Sequence, residues 1–182
     1  MVLGVLMCLG SSRALVQEPV PEDLSGRTVD PFAGQEQVEV FLFARSDCPI
    51  TQRYAPELRR IARVFERQPV KFWLVFPDPA ETRTNVRSFI DQFGFPGTPI
   101  FDPKHTLVRR AKATTAPEAA VFNRNGMLVY HGRIDDWYVD IGKASSAPRV
   151  HDLEDAIAAT LSLRPVAHAA TKAVGCSLAD IE

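Results

Sequence analysis

Cys48 is the residue of this sequence that is best placed to do chemistry, because an apolar stretch precedes it and a helical pattern follows it. Residues 38–44 are apolar enough for a buried strand, and Pro49 stands where a helix tolerates proline best. A thiol at the start of a helix faces unpaired backbone N–H groups and the positive end of the helix dipole. Such a position lowers the pKa of a cysteine from about 8.5 to roughly 3.5–7.5. We therefore predict a nucleophilic Cys48, with a small buried apolar side chain as the alternative.

Cys176 is the candidate partner of Cys48. The sequence has 3 cysteines and no Cys-x-x-Cys, and Cys8 lies in an apolar run at the N-terminus. The segment from Leu163 to Cys176 could extend over roughly 43 Å, so the tail is long enough to return to Cys48. Two interpretations stay open: Cys176 resolves an oxidised Cys48 within the chain, or it is a free or partner-linked thiol of the tail.

Strands and helices alternate around these cysteines. Strands are predicted over 38–44, 70–76, 99–101, 118–123 and 128–134, and helices over 49–67, 81–93, 104–112 and 150–163. The Asn125-Gly126 pair predicts a tight hairpin between the last two strands. The alternation predicts an α/β fold of three layers, with a central mixed sheet, a terminal antiparallel hairpin and helices on both faces.

Composition excludes several classes of protein. The formal net charge is −1, which gives no basic footprint for nucleic acid. No apolar run reaches the roughly 20 residues of a membrane-spanning helix. The 4 histidines lack metal-ligand spacing and no phosphate-binding glycine motif occurs, so we predict no metal and no cofactor.

The chain divides into four predicted segments. Residues 1–14 resemble a signal peptide with a small-x-small cleavage site after Ala14, a short buried segment being the alternative. Residues 15–37 are predicted to be an extended arm, 38–163 a single domain, and 164–182 a tail that carries Cys176 and has no clear packing face. The signal predicts export to the periplasm or the outside of the cell, where cysteines form disulfides.

Three motifs carry a resemblance to a known family. Pro56 follows Cys48 by eight residues within the predicted helix, and Pro117 precedes the hairpin. The motifs are Asp-Cys-Pro-Ile at 47–50, Pro-Glu-Ala at 117–119 and Gly-Arg-Ile-Asp-Asp at 132–136. The chain thus resembles thioredoxin-like redoxins of the alkyl hydroperoxide reductase / thiol-specific antioxidant superfamily, in particular the exported bacterial type.

The resemblance implies a thioredoxin-like fold in which a cis Pro117 packs beside the Cys48 thiol, and it comes with departures. Thr51 stands where a thioredoxin has its second cysteine, so it could donate its hydroxyl to a Cys48 thiolate but could not resolve a mixed disulfide. Arg45 and Phe41 occupy the positions of the Thr or Ser and the Pro that precede a peroxiredoxin cysteine. The peroxide pocket of that family is therefore not recognisable.

Strand direction predicts the rim of the site. The strand before Gly132 returns to the end of the sheet that carries Cys48, so residues 133–137 are candidates for the rim, with a solvated loop plugged by Trp137 as the alternative. The predicted catalytic residues are Cys48, Thr51, Pro117 and Cys176, and the predicted substrate-binding residues are Arg45, Thr115, Ala116, Arg133, Asp135 and Trp137.

Three functions follow from these residues. The first is a thiol–disulfide oxidoreductase that uses Cys48 against a protein or small-molecule thiol or disulfide partner, with Cys176 or an external thiol resolving it. The second is a thiol peroxidase that passes through a sulfenic acid. The third is a non-enzymatic module that binds a soft metal such as Cu(I) through Cys48, Cys176 and a histidine.

Overall fold

The computed structural model describes residues 20–34 and 36–178. The predicted signal peptide over residues 1–14 lies outside the described residues. The helices are α1 (Pro49–Val64), α2 (Arg83–Phe93), α3 (Thr106–Ala111) and α4 (Asp152–Leu161). The strands are β1 (Glu22–Asp23), β2 (Val38–Phe43), β3 (Val70–Phe76), β4 (Thr98–Phe101), β5 (Thr115–Ala116), β6 (Glu118–Asn123), β7 (Leu128–Gly132), β8 (Tyr138–Asp140), β9 (Lys143–Ala144) and β10 (Cys176–Ser177).

The main sheet has six strands in the order β1-β4-β3-β2-β6-β7. Strands β2, β3 and β4 run parallel, and β6 pairs antiparallel with both β2 and β7. The hairpin turn between β6 and β7 is closed by Asn123, whose side chain accepts hydrogen bonds from the backbone N–H of Asn125 and Met127. The predicted mixed sheet with a terminal antiparallel hairpin is therefore confirmed.

Helices cover both faces of the sheet, as predicted. Side chains of α1, α2 and α4 share one core cluster with alternate residues of the strands, such as Val40 and Leu74. The intervening residues, such as Phe41 and Trp73, point to the other face, where α3 and Phe32 of the N-terminal arm pack. Burial of both faces explains why the inner strands read as continuous apolar runs.

Helix α1 sets the position of Cys48. Pro49 occupies its first turn, and Tyr54, Leu58 and Ile61 recur on its buried face. Because α1 follows β2 directly, its N-terminus lies at the carboxyl end of the central strand. The residue that caps this end is Cys48.

The tail is ordered against the sheet, which corrects the expectation that it has no packing face. Ala170 forms a bridge with His131 of the edge strand β7, and the Thr171 N–H donates to the His131 carbonyl at 3.1 Å. Further along, β10 pairs with β5 and Leu178 is buried in the second core cluster. The tail therefore crosses the edge of the sheet and ends its described part beside the start of α1.

Two further elements were not predicted from the sequence. Strands β8 and β9 form a small hairpin after β7, with Val139 and Ile141 exposed to solvent. In the N-terminal arm, β1 pairs antiparallel with β4. Within the described residues, no helix combines the length and the apolar character needed to cross a membrane.

Candidate active site

Cys48 and Cys176 are joined by a disulfide. Their Cα atoms lie 6.2 Å apart although 128 positions separate them in the chain. Cys48 is completely buried at the start of α1, whereas Cys176 is only partly buried. Of the two interpretations left open by the sequence, the structure shows the intramolecular pair.

Pairing between β10 and β5 brings Cys176 to this position. Cys176 lies opposite Ala116 and Ser177 opposite Thr115 in an antiparallel register. The Ala116–Pro117 peptide bond is cis, and the Cys48 Sγ lies 3.2 Å from the Ala116 carbonyl oxygen. The tail approaches so closely that any side chain at Gly175 would collide with that carbonyl. Pro117, Ala116 and Thr115 therefore lie at the cysteine pair.

Glu118 holds the loop before Pro117, and sequence reasoning missed it. Its carboxylate is buried and accepts hydrogen bonds from the backbone N–H of Thr114 at 2.9 Å and of Thr115 at 3.1 Å. The other oxygen lies 3.4 Å from the Nδ1 of His131 on β7. The position of Glu118 directly after Pro117 was the available signal, but its partners come from the fold.

Arg45 connects the loop before Cys48 to the tail. Its Nη1 donates to the Ser177 carbonyl at 3.2 Å, while Nε and Nη2 donate to the carboxylate of Asp47 at 3.1 and 3.0 Å. These hydrogen bonds from Arg45 hold the pKa of Asp47 below its usual range. Arg45 therefore contacts the chain's own tail at the place where a bound substrate was predicted.

Thr51 lies on the first turn of α1, three residues after Cys48. The side chain is fully buried, and its hydroxyl has no hydrogen-bond partner within residues 20–34 and 36–178. Cys48 in turn accepts no capping hydrogen bond through its side chain. The disulfide form therefore leaves a polar group buried and unsatisfied at the site.

A groove of about 370 Å³ opens beside the disulfide. It is lined by Pro49, Ile50, Arg53, Tyr138, Ile141, Gly142, Gly175, Cys176 and Ser177. Its side chains are mostly apolar, and Arg53 donates to the Tyr138 hydroxyl at 3.2 Å. Cys176 lines this groove and Cys48 does not, so solvent and ligands reach the disulfide from the Cys176 side.

The residues predicted for the rim have partners inside the fold. Arg133 pairs with Asp152 at 2.7 Å, and Asp135 accepts a 2.6 Å hydrogen bond from the Tyr54 hydroxyl. Burial raises the pKa of Asp135. Trp137 packs edge-on against Tyr54, as in the alternative of a packed plug. None of these three rim residues lines the groove. Tyr138, the next residue in the chain, lines it instead.

A possible metal-ligand group occurs elsewhere. Among the described residues, the group of His, Cys, Asp and Glu side chains with ligand spacing is Glu57, His151 and Glu154. The guanidinium of Arg60 binds both of these carboxylates. This group contains neither cysteine, and no histidine joins the cysteine pair in a ligand set within the described part of the chain.

Solved structures share this architecture. An uncharacterized conserved protein from Geobacillus kaustophilus matches with a TM-score of 0.74 and 21% identity, over 87% of this chain and 86% of that one. A hypothetical protein from Sinorhizobium meliloti matches with 0.73 and 21%, over 87% and 88%. A secreted disulfide oxidoreductase of Mycobacterium tuberculosis, homologous to DsbE of E. coli, matches with 0.52 and 17%, over 78% and 92%. The fold is therefore thioredoxin-like, as the sequence resemblance implied.

Sequence comparison assigns the family. No curated protein matches this chain significantly. Residues 18–131 match the AhpC/TSA family, and this range includes Cys48, Thr51, the cis Pro117 and the whole main sheet except the last residue of β7. The match covers more than half of the sequence and agrees with the fold and with the position of Cys48. The chain therefore belongs to the AhpC/TSA family.

Proposed function

We propose that this protein is a thiol–disulfide oxidoreductase in which Cys48 and Cys176 form the redox-active pair. The observation that carries the proposal is the disulfide between a buried cysteine at a helix N-terminus and a partly exposed cysteine that lines a groove. A purely structural crosslink needs no such opening. The description of the secreted M. tuberculosis neighbour as a disulfide oxidoreductase supports the same activity.

From the exposure of the two sulfurs we propose parts that reverse the sequence expectation, in which Cys48 attacks and Cys176 resolves. A partner thiolate enters the groove and attacks the Cys176 Sγ, because the Cys48 Sγ is buried. The bond between Cys48 and Cys176 breaks, and Cys48 leaves with the electron pair as a thiolate. A second thiolate of the partner then attacks the mixed disulfide and releases Cys176, which takes up a proton. The partner dithiol is oxidised to a disulfide, and the protein disulfide is reduced to one thiolate and one thiol.

The start of α1 favours this direction of cleavage. A leaving thiolate departs faster when its negative charge is stabilised. Cys48 faces the positive end of a helix of 16 residues, whereas Cys176 lies on a short strand. Arg45 adds a positive charge near the site, although Asp47 partly neutralises it.

Trapping with a monothiol tests the proposal. The disulfide form is mixed with glutathione, quenched with acid after short intervals and digested for peptide mapping. The expected first product is glutathione bound to Cys176 and a free Cys48. In a dithiol-oxidation assay of the full, uncleaved chain, Cys48→Ser and Cys176→Ser are expected to abolish turnover and the control Cys8→Ser to retain it. Turnover that survives in Cys176→Ser, or first adducts on Cys48, would overturn the proposal.

Peroxide reduction is the second candidate, because the family includes thiol-specific antioxidants. The reduced Cys48 thiolate would attack a hydroperoxide to give a sulfenic acid and an alkoxide, and Cys176 would then form the disulfide with loss of water. This reaction is tested with Cys176→Ser, in which the sulfenic acid should accumulate and react with dimedone. Peroxide consumption without any dithiol–disulfide exchange on protein or peptide substrates would favour this candidate over the first.

We also propose that the protein is exported and acts on thiols or disulfides of other proteins or small molecules. A disulfide between Cys48 and Cys176 suits an oxidising compartment. The leader-like pattern of residues 1–14 and the secreted M. tuberculosis neighbour point the same way. Cell fractionation is expected to place the mature chain outside the cytoplasm, and recovery of the uncleaved chain with cytoplasmic markers would contradict export.

A further inference from the structure

The hydroxyl of Thr51 is an unusual group to leave unsatisfied. The side chain is 0% exposed, and within the described part of the chain no acceptor or donor contacts its Oγ1. Buried hydroxyls nearly always have a hydrogen-bond partner, because burial without one costs free energy. A partner that is present only in another state of the protein would account for this exception.

Cys48 is the neighbour that changes between states. It caps α1, and Thr51 is the third residue of that helix. Residues three positions apart lie on the same side of a helical turn, so Thr51 is a neighbour of Cys48 at the start of α1. In the disulfide form the Cys48 sulfur is bonded to Cys176 and accepts no capping hydrogen bond. Both halves of a possible hydrogen bond are therefore present, and both are unused.

We propose that Thr51 is a hydrogen-bond donor held for the Cys48 thiolate, so that it stabilises the reduced protein relative to the disulfide. This inference rests on the proposed function, since it assigns a part to Thr51 in the same redox step. Two electrons from the partner dithiol break the disulfide, Cys48 keeps one electron pair as a thiolate, and the Thr51 O–H donates to that sulfur. No proton leaves Thr51.

The other groups described near the Cys48 sulfur would stabilise a thiolate poorly. The Ala116 carbonyl oxygen lies 3.2 Å from the Cys48 Sγ and would repel a thiolate. The nearest cation on the preceding loop, Arg45, divides its hydrogen bonds between Asp47 and the Ser177 carbonyl and lies 3.9 Å from Asp78. The donors proposed for a negative charge on Cys48 are therefore the backbone N–H groups at the start of α1 and the Thr51 hydroxyl.

A substitution that removes the Thr51 hydroxyl should change the stability of the reduced and disulfide forms by different amounts. Thr51→Val keeps the shape and removes the hydroxyl, and Thr51→Ser keeps the hydroxyl as a matched control. The reduction potential of each variant is measured in glutathione buffers, with the disulfide quantified by alkylation. We expect Thr51→Val to lower the equilibrium constant for reduction about tenfold, which equals about 30 mV for a two-electron couple. Thr51→Ser should stay within a factor of about three of the wild type.

Unfolding in urea provides the second measurement. Thr51→Val should raise the midpoint of the disulfide form, because it removes an unsatisfied buried hydroxyl, and should not raise that of the reduced form. A merely structural role would shift both forms equally and leave the potential unchanged. Equal potentials for wild type and Thr51→Val, or a drop shared by Thr51→Ser, would overturn the inference. Glutathione equilibria need no physiological partner, so a failure of the proposed function in the dithiol-oxidation assay is separable from a failure here.

Discussion

Glu39 is a buried carboxylate on the central strand β2, and it makes the fold sensitive to pH. It lies on β2 with 5% of its surface exposed, and the indole N–H of Trp73 donates to its Oε2 at 2.7 Å. Burial raises the pKa of Glu39 to about 7, and this hydrogen bond only partly offsets the effect. The folded protein therefore holds a proton on Glu39 at pH values where the unfolded chain has released it.

The sign of the pH effect follows from this raised pKa. The unfolded carboxyl titrates near 4.5. The contribution of Glu39 to the free energy of unfolding is therefore fully present below that pH and is lost as the pH rises through about 7. Each pKa unit corresponds to about 1.4 kcal/mol, which gives a loss of about 3 kcal/mol between pH 4.5 and pH 8. Glu39→Gln is expected to remove this loss. Urea unfolding at pH 5 and pH 8 measures it, with Trp73 fluorescence as a local probe.

Asp136 provides the control for this measurement. It is a partly exposed carboxylate whose pKa is lowered by hydrogen bonds from the backbone N–H of Val150 and Arg149. Asp136→Asn should therefore change stability equally at pH 5 and pH 8, since the carboxylate is ionised at both. A Glu39→Gln variant whose advantage over the wild type does not grow between pH 5 and pH 8 would show that Glu39 does not control this pH range.

At the scale of elements, the pairing of β10 with β5 is what turns two distant cysteines into one site. The pairing depends on the absence of a side chain at Gly175, where the tail passes the Ala116 carbonyl. The edge of β7 has a second close approach, where Gly132 faces Thr171. Thr171 Oγ1 lies 2.7 Å from the Tyr130 hydroxyl and accepts from the Arg133 N–H at 3.1 Å. The tail is thus held at one place by side-chain hydrogen bonds and at another by strand pairing.

Gly175→Ala tests the strand pairing. The added methyl group would displace β10 from β5 and so separate the cysteines from disulfide geometry. Forced overpacking of this kind costs about 1–3 kcal/mol, so the equilibrium constant for forming the disulfide with glutathione should fall roughly tenfold or more. Gly34→Ala is the matched control, because Gly34 does not line the groove and a methyl group there would make only ordinary contacts. An unchanged constant in Gly175→Ala would show that the tail tolerates a side chain there.

The main sheet could be predicted from the sequence because its signals are local. The apolar runs over β2 and β3, the periodicity of α1 and the Asn125-Gly126 turn each depend on neighbouring residues. The predicted α1 continued to residue 67, whereas the helix ends at Val64. The residues around Cys48 were predictable for the same reason, since the strand end and the helix start meet at that position.

The path of the tail could not be predicted, because its partners are distant in the chain. Residues 164–178 are rich in alanine and show no periodicity of their own. They pack through contacts with Gly132, Tyr130 and Ala116, and the sequence of the tail does not encode where those residues lie. Glu118 and Tyr138 escaped prediction for the same reason. Their signals are three-dimensional contacts, not spacing.

At the scale of the whole molecule, the disulfide closes a loop of 128 positions that includes all four described helices but leaves out strands β1 and β2. In the chain-entropy model such a crosslink stabilises the folded state by about 5 kcal/mol. We expect reduction to lower the free energy of unfolding by about that amount and to leave a folded protein, because the two core clusters do not depend on the bond. Guanidinium unfolding with and without a phosphine reductant measures the difference.

A double variant checks that the effect belongs to this bond. Cys48→Ala with Cys176→Ala should unfold near the midpoint of the reduced wild type and should not respond to the reductant. A wild type whose unfolding is unchanged by complete reduction would contradict the loop-closure argument. It would mean that contacts of the tail, such as buried Leu178, already hold it as firmly as the bond does.

The order of the two cysteines along the chain has a consequence for biosynthesis. Every strand of the main sheet and all helices in the described part precede Cys176, since β7 ends at Gly132 and α4 at Leu161. Cys48 therefore leaves the ribosome or a translocation channel long before its partner, and it must remain an unpaired thiol while the sheet assembles. Pairing with Cys176 therefore comes after the sheet has formed, and in that interval the Cys48 thiol is open to exchange with foreign disulfides.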